Sequence, residues 1–100
     1  MAIQSSIKAN LYKDSVSLMR ISQVTVARTG VQRVTLLMGT RSNKEFLQQA
    51  GLMSPALEDA KPGDIMIVVV DDAPEKRAAA EQEIHSLIVG EEPKGGPAEA

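Results

Sequence analysis

Alternating strand and helix signals predict a small α/β domain of order β-α-β-α-β-α with a mostly parallel sheet. Three observations carry this. Residues 3–11 alternate apolar Ile3, Ile7, Ala9 and Leu11 with polar Gln4, Ser6, Lys8 and Asn10, the pattern of a half-buried strand. Ile65–Val70 is apolar on both faces, as in a strand covered on each side. Helix starts at Asp14, Thr40 and Pro74 and stops at Gly30, Gly51 and Gly90 punctuate the chain between them. The alternative is a ferredoxin-like α+β layer, with an extra strand before the second helix or after the third. Strand order stays open: sequential pairing favours the first strand beside both others, yet the third is the most apolar.

Taken in order, Asp14 can cap a helix over 15–28, accepting from a first-turn N–H. Val24-Thr25-Val26 is β-branched and leaves a strand open by pattern alone. Gly30 suits the helix C-cap. Residues 31–38 read as a second strand, and Thr40 or Ser42 can start a helix over 43–50 that Gly51 stops. Residues 53–63 form a loop with a turn at Ala56–Ala60. After the third strand, Asp72 and Pro74 open a last helix whose buried stripe is Ala80, Ile84, Leu87 and Ile88. A single domain spans 1–90, and the Pro/Gly-rich 91–100 reads as a disordered tail or linker.

Composition excludes several function classes. The 43% hydrophobic and 24% charged content is ordinary for a globular domain. A net charge of −2 with scattered basic residues leaves no nucleic-acid footprint, and two aromatics offer little base stacking. With no cysteine there is no thiolate metal site, and a cytoplasmic location fits. No apolar run approaches the ~20 residues of a membrane span. No cofactor and no metal is expected. His85 lacks a second histidine or cysteine nearby, and Glu81 and Glu83 more readily solvate a helix turn than perform acid/base chemistry. A Mg²⁺ ion at Asp71-Asp72 is weakened because adjacent residues alternate sides along an extended strand.

Two junction clusters remain. Asp14 and Ser15 end the first strand; Gly39, Thr40, Asn43 and Lys44 follow the second. Each has a capping reading and a ligand reading. In the second, first-turn N–H groups, the Ser15 and Thr40 hydroxyls, Asn43 and Lys44 would hold a carboxylate or another anion, with Gly39 leaving room for it. Parallel strands would bring both clusters to one edge of the sheet and one crevice.

The pattern Asp14-Ser15-Val16, Leu18-Met19, Ser22, Gly30-Val31, Val34, Met38-Gly39-Thr40, Asn43-Lys44, Leu47, Gly51-Leu52, continuing through Pro62-Gly63-Asp64, resembles the N-terminal region of FdrA proteins. These are acyl-CoA-synthetase-like proteins related to the succinyl-CoA synthetase α subunit. The resemblance implies a helix over 15–28. For the whole family it implies acyl-CoA-synthetase-like chemistry and carbamoyl transfer on oxamate with partner subunits. The chain carries no Gly-rich phosphate loop and is not expected to catalyse alone. On this likeness it is an accessory domain that docks onto the remaining domains or partner subunits of an FdrA-type enzyme. The alternative is a small carboxylate-binding domain lending Thr40, Asn43 and Lys44 to a composite site. A free edge on the first strand, or an exposed helix face, would also favour a homo-oligomer.

Overall fold

All six residues of Ile65–Val70 are buried, and this strand organises the molecule. The computed structural model describes residues 2–9, 11 and 13–90. Its elements are β1 (Ile3–Lys8), α1 (Ser15–Thr29), β2 (Arg33–Met38), α2 (Arg41–Gln49), α3 (Pro55–Glu58), β3 (Ile65–Val70) and α4 (Pro74–Gly90). The tail predicted over 91–100 lies outside the described residues, as does Asn10 of the first predicted strand.

The sheet has the order β1-β3-β2, and β3 is antiparallel to both neighbours. This corrects the mostly parallel sheet. The strand apolar on both faces takes the centre, and the two strands that carry polar residues take the edges. The ferredoxin-like alternative fits: β1-α1-β2 is a split β-α-β unit, with β3 inserted between its strands. Lys8 and Met38 both lie opposite Ile65. β1 and β2 therefore run in the same direction, although neither touches the other. Residues 39–64 leave the sheet at Met38 and return to it at Ile65, so they connect neighbouring antiparallel strands instead of crossing over.

Alternate residues of β3 serve two cores. Ile65, Ile67 and Val69 join Leu18 and Ile21 of α1 and Ala80, Ile84 and Ile88 of α4. Met66, Val68 and Val70 join Leu47, Leu52, Leu57 and Ala60 of the 39–64 segment. Each of the Leu, Ile, Val and Met side chains contributes roughly 1.5–3 kcal/mol on burial.

Local chemistry explains the element ends. Asp14 caps α1, accepting from the Ser17 N–H at 3.0 Å, and Gly30 closes it at φ 73°. The β-branched stretch of α1 is helical, and buried Thr25 satisfies its hydroxyl on the Ile21 carbonyl at 2.8 Å. Gly51, at φ 76°, ends α2 in a Schellman turn. There Leu52 N–H donates to the Leu47 carbonyl and Gly51 N–H to that of Gln48, with Leu47 and Leu52 packed in one core. Just before α4, Asp71 accepts from the Ala73 N–H at 2.8 Å and turns the chain into Pro74. The loop turn predicted at Ala56–Ala60 is the short helix α3, with Pro55 at its first position.

Candidate functional site

Both junction clusters emerge at the same end of the sheet, since β1 and β2 share a direction. Thr40 caps α2 by accepting from the Asn43 N–H at 3.3 Å. Asn43 Nδ2 donates to the Met38 carbonyl at 2.9 Å and so ties the start of α2 to the end of β2. Lys44 turns toward α3 and donates from Nζ to the Glu58 carbonyl at 2.9 Å. The space beside Gly39 is taken by the chain itself. A Cβ there would collide with the Lys61 carbonyl oxygen and lie 2.9 Å from Ala60 Cβ, while the Gly39 N–H donates to the Asp64 carbonyl at 2.8 Å.

Ser15 and Asn43 share one groove of about 290 Å³ between α1 and β2, lined also by Leu18, Met19, Ser22 and residues 34–38. Lys44 lines a different recess, with Arg41, Glu45 and Glu58. Asp14 and Thr40 stand as caps at the starts of α1 and α2. The groove extends along the strand: a second hollow of about 370 Å³, sharing Ser22 and Val34, continues past Val26, Ala27 and Arg33. Among the described residues lining the two hollows, Arg33 is the one charged side chain. Val16 (66% exposed) and Met19 (59%) place large apolar side chains on the open surface of α1. The sequence signal for this surface was α1 itself, SVSLMRISQVTVART, which has no acidic residue and only Arg20 and Arg28 as charges.

On the far side of the sheet's first core, Ser6 Oγ donates to Glu81 at 2.6 Å, and His85 Nε2 lies 3.4 Å from the same carboxylate. The carboxylate stands between the hydroxyl and the imidazole, so the histidine is not placed to take the serine proton. These contacts tie β1 to α4. Two carboxylates are held below the ordinary value of 3.8. Asp14 is lowered chiefly by its hydrogen bonds from Ser17, and Asp71 chiefly by the Ala73 N–H, with Gln32 N–H also donating to it.

The family model described as "AllF, heavy metal-associated domain" matches residues 1–100. The chain belongs to that family. A curated relative, the uncharacterized protein YahF of Escherichia coli (strain K12), is 46% identical over 69 residues. That stretch is 69% of this chain and 13% of YahF, so the chain spans a small part of the relative's length. No solved structure matches the chain.

This membership overturns the likeness to FdrA. With it go the acyl-CoA-synthetase, succinyl-CoA-ligase and carbamoyltransferase expectations, and the alternative of an anion-binding domain is set aside. The physical reason lies in the residues that carried the likeness. Asp14 and Thr40 cap helices, Gly30 and Gly51 adopt positive φ, and Gly39 admits a neighbouring backbone. Such positions specify helix ends and chain reversals and carry no ligand chemistry of their own.

The family description names heavy metals, whose soft ions are held by thiolates, thioethers and imidazoles. The chain has no cysteine and a single histidine. Among the described residues no three His, Asp or Glu side chains gather where an ion could sit. This donor set does not fit a thiolate- or imidazole-based heavy-metal site. No helix among the described residues is long and apolar enough to cross a membrane.

Proposed function

We propose that this domain is a non-catalytic assembly module of an AllF-type protein in the cytoplasm, keeping the fold of a heavy-metal-associated domain without its metal chemistry. The observation that carries the reading is the α1–β2 surface. There an edge strand and a helix face line a continuous groove with one charged residue, in a chain where 24% of residues are charged. Depletion of charge with exposed apolar side chains at the centre of a patch marks protein interfaces. The partners are the remaining domains or subunits of the longer protein, or a further copy of the domain.

The test is made in the longer AllF-type protein that carries this domain. Met19→Lys together with Thr35→Lys should lower the assembly mass measured by light scattering, with the melting temperature of the isolated domain unchanged. An intact assembly carrying both lysines would overturn the proposal.

A further inference from the structure

Resting on the assembly reading above, we infer that β2 pairs antiparallel with β2 of a second copy, about a two-fold axis through Leu36, and joins two sheets into one of six strands. Among the described residues the edge of β2 is open, since β3 occupies only its other side. Natural edge strands are protected by lysine, proline or bulges. The strand RVTLLM has none of the first two, and its pairing with β3 is an unbroken one-to-one register.

Alternation limits the register to those that keep matching sheet faces together, and among these an axis through Leu36 pairs the apolar and β-branched residues 34 to 38 with one another. Residues facing the α1–α4 core must meet residues facing the same core, so their numbers sum to an even total. About Leu36, Val34 meets Met38 of the second copy, Leu36 meets Leu36, and Thr35 meets Leu37. Arg33, the single charge of the strand, then faces Gly39 and not another arginine. Antiparallel apolar and β-branched pairs of this kind stabilise a sheet.

The helix layer argues for the same occupant. α1 packs against β2, and the two copies of α1 would approach each other across the axis. Val16 and Met19, otherwise in solvent, would be covered there by their counterparts. A surface without acidic residues has no complement to offer a basic partner, whereas an apolar, self-complementary one that keeps Arg33 off the axis suits an isologous contact. The β1 edge differs: its strand IQSSIK carries Gln4, Ser5, Ser6 and Lys8, and its serines bond within the domain to Ser54 and Glu81.

Sedimentation and light scattering of the chain should give twice its 10.7 kDa mass. Met19→Lys places like charges near the axis and Thr35→Lys places a lysine against Leu37, and each should weaken the dimer about tenfold or more. Gln4→Lys on the other edge should leave it intact. Circular dichroism and melting temperature check that each variant folds. A monomer at all concentrations, or a dimer broken by Gln4→Lys and not by the β2 variants, would overturn the inference. If the chain is monomeric but the same lysines dismantle the longer protein, self-pairing fails and the assembly reading survives. If they change neither, both fail.

Discussion

The two sides of the sheet are covered by different means. On one side, α1 and α4 lie across the strands and bring Leu18, Ile21, Ala80, Ile84 and Ile88 onto Ile65, Ile67 and Val69. On the other, a nine-residue helix, a turn and a four-residue helix bring Leu47, Leu52, Leu57 and Ala60 onto Met66, Val68 and Val70. Both sides bury their central residues completely. The difference lies in how the cover is held. The long helices are regular structures fastened to each other, with Arg28 reaching Glu83 at 2.9 Å. The short segment is closed end to end by Gly39 on Asp64 and fastened to the sheet at discrete points, Asn43 to Met38 and Ser5 to Ser54. A protein can therefore have two equally dry cores with unequal cooperativity, the second opening by the loss of a few ties.

The largest effect should come from emptying each core in turn. Ile84→Ala should cost about 4 kcal/mol and Leu57→Ala about 3 kcal/mol in denaturant unfolding, because both side chains are fully buried and leave cavities. Their amide exchange should differ more than their stabilities. Ile84→Ala should speed exchange throughout β3, α1 and α4, and Leu57→Ala chiefly across 39–64. Equal global acceleration in the two variants would show that the sides unfold as one unit and would erase the contrast.

Gly39→Ala tests the ties directly. The added methyl meets the Lys61 carbonyl oxygen and Ala60 Cβ, which are backbone and a packed side chain, and they can yield only by lifting the 60–61 segment. Overpacking of this kind costs about 2–3 kcal/mol. Exchange should rise at Ala60 and Asp64 before it rises in α4. A substitution that leaves the denaturation midpoint in place would mean that the segment is not clamped there.

The same contrast explains how much was legible in the sequence. The α1–α4 side was, because Ala80, Ile84 and Ile88 repeat at helical spacing and all are buried, and because Asp14 and Gly30 mark the ends of α1. Sheet direction was not. A helix between two strands looks alike in sequence whether the chain crosses over once or turns back through a second short helix, and α3 was hidden in what reads as a turn. The all-apolar run of β3 did announce a doubly covered strand, yet such a strand can be central in either kind of sheet. At the junctions, Asp14, Thr40 and Gly39 were legible as punctuation, and their capping roles follow from residue type. The α1–β2 groove was not, since it depends on β3 lying between β1 and β2, which exposes β2 as an edge.

A smaller effect should follow from Thr40→Ala, which removes the acceptor for the Asn43 N–H and should cost about 1 kcal/mol. Loss confined to α2 and its neighbours, read as faster exchange at Asn43 and Lys44 with α1 unchanged, is the expected result. A global loss of similar size would place α2 in the same cooperative unit as the long helices.

Acid sharpens the comparison most finely, because the two sides use different caps. The carboxylate of Asp14 caps α1 and that of Asp71 holds the turn into α4, both lowered below 3.8 by the N–H groups they accept from. α2 begins on the Thr40 hydroxyl, which does not titrate in this range. A carboxyl whose pKa is depressed in the folded state contributes stability that is complete above its unfolded value and fades as pH falls through the folded one. The cap of α1 and the turn before α4 should therefore be intact at neutral pH and weaken as the solution is acidified below about pH 4, the ordinary carboxylate range. Asp71 carries more than that turn, since its second oxygen accepts from the Gln32 N–H at 2.8 Å and holds the start of β2 beside the start of α4. Protonation should thus expose the Gln32 and Ala73 amides to exchange together, with Asn43 still protected. The short segment has a carboxylate tie of its own, Asp64 accepting from the Lys61 N–H at 3.0 Å, so Asp64→Asn is the matched variant for Asp71→Asn. Asp71→Asn should flatten the acid response at Gln32 and Ala73, and Asp64→Asn should leave that response in place. If Asp64→Asn flattened it equally, the acid sensitivity would belong to the whole domain and not to the side built on α1 and α4.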